Sequence, residues 1–199
     1  QFTIASNKRA VFDKGINLPK HPNRKKIFGI AKNLDGSKLN LLLEAIKKKY
    51  LNSEFKNLKV LSIGPRSEGE IFNLFANGFE LKNIVGLDLF SYSPFIKLGD
   101  MHNLEFADEE FDIVLMGWCL AYSNNKQKVL SEVKRTLKKN GLLIIGHTII
   151  EASDDEVLKK RGYLVASPFD KINSKADLDN LLKDIGFKTF YTNSIERKI

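Results

Sequence analysis

Three short stretches of the chain carry acids at spacings that suit a nucleoside. The first is KVLSIGPRSEGE, residues 59–70, an apolar run that stops at Gly64 and turns through Pro65 and Arg66. The second is Asp88, at the end of IVGLDL, which follows Gly64 by 24 residues and Gly69 by 19. The third is GDMHNLEF, residues 99–106, with Asp100 and Met101. A strand that runs into a glycine turn and then a helix is where nucleotide-like cofactors sit in α/β proteins.

The first stretch departs from the dinucleotide fingerprint, because Arg66 stands where a second close-approach glycine is expected. Ser67 and Glu70 make an S-x-x-E capping box, which predicts a helix with Glu68 and Glu70 in its first turn. Two carboxylates there complement the helix dipole and occupy the place a pyrophosphate would take. A phosphate would meet like charge, which counts against NAD, FAD or ATP. S-adenosylmethionine (SAM) has no phosphate; it has adenosine, a cationic sulfonium and an amino-acid end. A negative helix start tolerates the cation, and Gly64 lets the backbone approach closely. Arg66 either pairs with the methionyl carboxylate or points to solvent.

Asp88 lies where an ionised acid accepts both ribose hydroxyls, with Leu89 beside it; the alternative is a turn-forming Asp before SYSP. Asp100 can accept from the adenine amine while Met101 lies on the ring; the alternative is an Asx-type turn. Trp118, which closes the run FDIVLMGW, and Tyr122 just after it can wall the adenine or an acceptor, or equally serve as core and rim aromatics. His147, just after LLIIG, is the candidate general base, against a plain strand-end histidine bonded to backbone. His102 is expected to pack or cap within its segment, and His21 reaches a pocket only if the N-terminal segment folds over it. Cys119 has no feature that would activate it as a nucleophile. With three scattered histidines and one cysteine, no metal site is expected.

These residues need elements to position them. Leu39, Leu42, Leu43 and Ile46 recur at helical spacing. LKVLSIG, NIVGLDLF, FDIVLMGW, LLIIGHTII and FKTFYTN read as strands. EIFNLFANGF, NNKQKVLSEVKRTLKKNG and SKADLDNLLKDIGF read as helices, the second ended by Asn140-Gly141. Strands that alternate with helices and are apolar on both faces predict a doubly wound, mostly parallel α/β sheet of Rossmann-like type, helices on both faces. Ligands then sit at the carboxyl ends of the strands, where the strand order switches. Residues 1–36, broken by Gly15, Pro19, Pro22 and Gly29, read as an irregular extension or lid; residues 37–199 read as one domain.

Composition narrows the setting. The 199 residues are 43% hydrophobic and 28% charged, ordinary for a globular domain. No apolar run approaches the roughly 18 residues a membrane span needs, and the start has no apolar leader segment. A cytoplasmic protein without a membrane partner is the simplest expectation. The net charge of +8 comes from short lysine patches such as IKKKYL. A solvated lysine surface explains it more economically than nucleic acid, since no interleaved aromatic and basic pattern accompanies it. The sequence leaves the oligomeric state open.

The ordered set VLSIGPRSEG, IVGLDL, GDMHNLEFADEEFDIVLMGWCLAYS and VLSEVKRTLKKNGLLIIG, over roughly residues 38–194, resembles the class I SAM-dependent methyltransferases. It is similar to the small single-domain subgroup with a DMHNLPF-like segment. The resemblance implies a SAM site at Gly64, Asp88, Asp100 and Met101, with the loop after FDIVLMGW closing the pocket. Two positions depart from the family pattern: Ser62 stands for the usual acid, and GPRSEG for G-x-G-x-G. The expected activity is methyl transfer from SAM to a small molecule or saccharide. The alternatives are an RNA or protein methyltransferase, and a degenerate fold that serves as a binding or scaffold protein.

Overall fold

The computed structural model describes residues 42–65, 68–91, 93–147, 149 and 171–193. Its sheet has five strands: β1 (Val60–Ile63), β2 (Ile84–Asp88), β3 (Ile96–Leu98), β4 (Phe111–Gly117) and β5 (Leu137–Gly146). They lie in the order β3-β2-β1-β4-β5, and every described pairing is parallel. Helix α1 covers residues 42–49. Helices α2 (Glu68–Ala76), α3 (Lys126–Thr136) and α4 (Lys175–Ile185) follow. The doubly wound α/β fold expected from the sequence is the one observed.

Strand residues of period two explain the layering. Val60, Ile113 and Leu115 point into one core layer with Leu42, Leu43 and Ile46 of α1 and Ile71 and Leu74 of α2. Leu61, Ile63, Val114 and Met116 point into the other, with Val129, Leu130 and Val133 of α3 and Leu178 and Leu182 of α4. Both faces of β1 and β4 are therefore buried, which is why these runs are mostly apolar. Helix ends follow local chemistry. The Asn125 side chain accepts from the Lys128 amide to cap α3, and Ser174 and Asp177 form a capping box on α4, which stops at Gly186 with φ 89°. Among the described residues no helix is long and apolar enough to cross a membrane.

Three expectations are corrected. Helix α3 ends at Thr136, and Leu137–Asn140, read as its last turn, open β5 instead. The register of β4 against β5 shifts between Phe111 and Ile113, and Asn140 takes φ 61°, so the Asn140-Gly141 signal marks an irregular strand rather than a helix stop. Strand β3 lies in a stretch the sequence left irregular; three residues are too few for a periodic signal. FKTFYTN forms no strand over residues 187–193. There Phe187 packs on the second core layer while Phe190 is exposed.

The strand order reverses between β1 and β4, the two central strands. Their carboxyl ends, at Gly64 and at Trp118-Cys119, open the crevice in which such sheets bind ligands.

Candidate cofactor site

The crevice begins with two residues in left-handed backbone: Gly64 at φ 67° and Trp118 at φ 66°. For glycine that conformation is free; for tryptophan it costs on the order of 1–2 kcal/mol. The Trp118 amide faces both the Met116 and Gly146 carbonyls at 3.0 Å, which holds the turn. The turn sets Cys119 onto Gly64, where a Cβ would meet the Cys119 Cβ at 2.6 Å. The side of Gly64 that lacks a side chain is thus filled by Cys119.

Acids surround this point. The Ser62 hydroxyl, buried at the end of β1, donates to Glu70 Oε1 at 2.5 Å. The other Glu70 oxygen lies over Gly117, where a Cβ would approach it to 3.1 Å. The carboxylate from the first turn of α2 therefore spans the tips of β1 and β4. Burial pushes the Cys119 thiol well above its ordinary pKa, and the Glu70 and Asp88 carboxylates push it further. Asp88 stands close by, one residue after Leu87, whose carbonyl accepts from the Gly64 amide at 2.8 Å. The field there disfavours anions and favours a cation. It also favours the thiol form of Cys119.

The third stretch folds as a tight turn. Asp100 Oδ1 accepts from the His102 amide at 2.8 Å and meets His102 Nδ1 at 2.6 Å. These bonds, the backbone one first, hold the Asp100 carboxyl below the usual range. The segment beyond it is fastened to α3. Arg135 donates to the Leu104 carbonyl at 2.8 Å, the Phe106 carbonyl at 2.9 Å and Asp108 at 2.6 Å. Glu132 accepts from the Leu104 amide at 2.9 Å and from Arg135. Arg135, and next the Leu104 amide, hold Glu132 below the ordinary carboxylate range against the opposing effect of burial. Arg135→Met leaves two backbone carbonyls without this donor and Glu132 without its partner. A loss of about 2 kcal/mol is expected, read as a lower urea midpoint. Because Glu132 has a lowered folded pKa, its contribution is present above the unfolded value of about 4.3 and is lost as pH falls through the folded one. The wild-type advantage over Arg135→Met should therefore shrink on acidification.

The remaining candidates fall as follows. Pro65 is buried behind Gly64. Asp88 ends β2 beside this loop, and Leu89 after it is 65% exposed. Met101 packs on the second core layer, whereas Trp118 packs on the first and lies against Gly146, where a Cβ would meet its ring at 2.9 Å. The fold therefore does not bring Trp118 and Met101 onto one surface. His147 follows β5, with a buried Nδ1 that has no hydrogen-bond partner among the described residues. Burial lowers its pKa, the Ile172 backbone opposes that, and the Lys126 cation adds to it. Arg66, the Ser67 half of the capping box, His21 and residues 1–36 lie outside the described residues. Sequence reading passed over three links: Ser62 to Glu70, His102 to Ser123, and Arg135 with Glu132 to the 104–108 segment. Only the i,i+3 pair Glu132/Arg135 leaves a signal in sequence, and that signal names no target.

Comparison with known proteins adds to this geometry. Residues 61–145 match the family model described as a methyltransferase domain. An uncharacterized protein of Methanocaldococcus jannaschii is 32% identical over 90 residues, 43% of this chain and 42% of that protein. A demethylmenaquinone methyltransferase of Thermotoga maritima is 38% identical over 48 residues, 24% of this chain and 21% of that one. The matches thus span less than half the length of these curated relatives. The solved structure of a SAM-dependent methyltransferase from Methanosarcina mazei shares the fold with a TM-score of 0.53 at 19% identity, covering 73% of this chain and 85% of that one.

Proposed function

We propose that this chain, whose residues 61–145 match a methyltransferase-domain model, is a SAM-dependent methyltransferase that transfers the methyl group of SAM to a small-molecule or saccharide acceptor. The observation that carries the reading is the Glu70 carboxylate spanning the tips of β1 and β4 at the switch point, with Asp88 one residue beyond Leu87, whose carbonyl binds the Gly64 amide. Such a site suits a cation and a ribose and repels a pyrophosphate.

SAM, when bound, supplies an electrophilic methyl on a good, neutral leaving group. The chain's part is then mostly placement. Gly64 and Pro65 form the floor, with Arg66 for the methionyl carboxylate. Asp88, with Leu89 beside it, accepts the ribose hydroxyls. Asp100 gives one oxygen to His102 and keeps the other for the adenine amine, beside Met101. Trp118 and His147 stand at the β4 and β5 tips, toward the acceptor. His147, kept neutral by burial, takes a proton from an acceptor hydroxyl or amine.

Titration calorimetry tests this. The protein is expected to bind SAM and S-adenosylhomocysteine and not NAD; absence of binding to either sulfur compound overturns the reading. Glu70→Gln should separate them. Removing a carboxylate beside a sulfonium is expected to weaken SAM about tenfold and the uncharged thioether product distinctly less.

The net charge of +8 favours a second reading, an RNA or protein acceptor. RNA binding that falls steeply with salt would support it, and indifference to RNA at low salt would remove it.

A further inference from the structure

We propose that His102 is a positioning residue that locks the adenine-side segment to the loop after β4, so that the nucleoside wall of the cofactor site is set by a chain of hydrogen bonds running to the start of α3. The proposal rests on the SAM reading above and goes beyond it, because neither His102 nor Ser123 would touch the reacting atoms.

The chain is read from its groups. Asp100 is a carboxylate and can only accept. The His102 Nδ1 that meets it at 2.6 Å therefore carries a proton. The opposite nitrogen, Nε2, lies 2.8 Å from Ser123 Oγ. That hydroxyl already accepts from the Asn125 amide at 3.0 Å, and Ser123 is fully buried. With neutral imidazole, the Ser123 hydroxyl donates to Nε2 and every group is satisfied. With imidazolium, Nε2–H and the hydroxyl hydrogen would compete, and the hydroxyl would need another acceptor. The arrangement is matched to the Nδ1–H tautomer.

Each end is anchored. Asn125 caps α3 through the Lys128 amide at 3.0 Å, and the buried Lys126 donates to the Ser123 carbonyl at 3.1 Å. At the other end the His102 amide also binds Asp100 Oδ1, so backbone and ring of one residue grip the same oxygen. Asp100 and Met101 thus inherit the rigidity of α3 through a buried serine. The same order, acid, imidazole and hydroxyl, is found in serine hydrolases; here the hydroxyl is buried and already bonded to an amide, so it is a strut and no nucleophile.

The test uses the full chain, with the wild type, His102→Ala, Ser123→Ala and the double variant, each checked by thermal melting. Calorimetry measures affinity for S-adenosylhomocysteine and for 5′-methylthioadenosine, which lacks the amino-acid end. Each single variant is expected to weaken both ligands by the same factor, about tenfold, and the double variant no more than either single, because the three share one link. An equal loss for both ligands in variants whose melting midpoints lie well above the calorimetry temperature places the effect at the nucleoside end, because a smaller folded fraction is then excluded as its cause; a loss confined to S-adenosylhomocysteine places it at the amino-acid end and overturns the proposal. Folded single variants that bind like the wild type overturn the proposal, and so do losses that simply multiply in the double variant. If His102→Ala does not fold, Ser123→Ala decides alone. A wild type that binds neither ligand overturns the SAM reading and this proposal together, an outcome distinct from the other two.

Discussion

Asp88→Ala is expected to lower the affinity for S-adenosylhomocysteine about a hundredfold, because in the proposed site a carboxylate shared by two hydroxyls is worth about 3 kcal/mol. The fold should be spared. Asp88 is the last residue of β2 and partly exposed, while the strand is held from below by Ile84 and Leu87 in the two core layers. The expected pattern is a large change in calorimetric affinity with a thermal midpoint close to that of the wild type. An unchanged affinity would remove Asp88 from the site and leave the turn before SYSP as its role.

Gly64→Ala has the opposite signature and a comparable size. The substitution forces a side chain into left-handed backbone, at about 1–2 kcal/mol, and drives its Cβ into the Cys119 Cβ at 2.6 Å, at about 1–3 kcal/mol more. Backbone lies on both sides of that contact, so no rotamer relieves it. A loss of about 3 kcal/mol lowers the melting midpoint by roughly 10 °C for a chain of this size. Cys119→Gly provides the check. It removes the atom that clashes and leaves the φ penalty, so the double variant should be more stable than the sum of the two single effects predicts. Strict additivity would show that the close approach of the two loops carries no energy.

Particular residues show what the sequence could reveal. β1 and β4 are legible because both of their faces are buried, which leaves apolar runs with a single polar residue in each, Ser62 and Asp112. α3 and α4 are legible because their apolar positions recur at helical spacing between a capping side chain and a stop. β3 is not, since a three-residue edge strand needs only backbone partners. The end of α3 was misplaced because Leu137 continues the helical spacing by side chain while its backbone pairs with Phe111. In the candidate site, Asp88 is proposed from its distance to Gly64, and Asp100 from its place between the second and third strands legible in the sequence. The long-range links around them leave no such signal. Glu70 reaches Ser62 across 8 residues, His102 reaches Ser123 across 21, and Arg135 reaches Leu104 across 31. Such pairs leave no local spacing rule, because they are made by the packing of α2 and α3 on the sheet.

The left-handed turn at the tip of β4 has one further consequence. The chain contains one tryptophan, and that turn puts it at the mouth of the crevice with its indole laid on Gly146. All tryptophan emission from this protein therefore arises at a single place. The fold has installed an optical reporter there, one that reads polarity and quenching at the β4–β5 tips without any label being added.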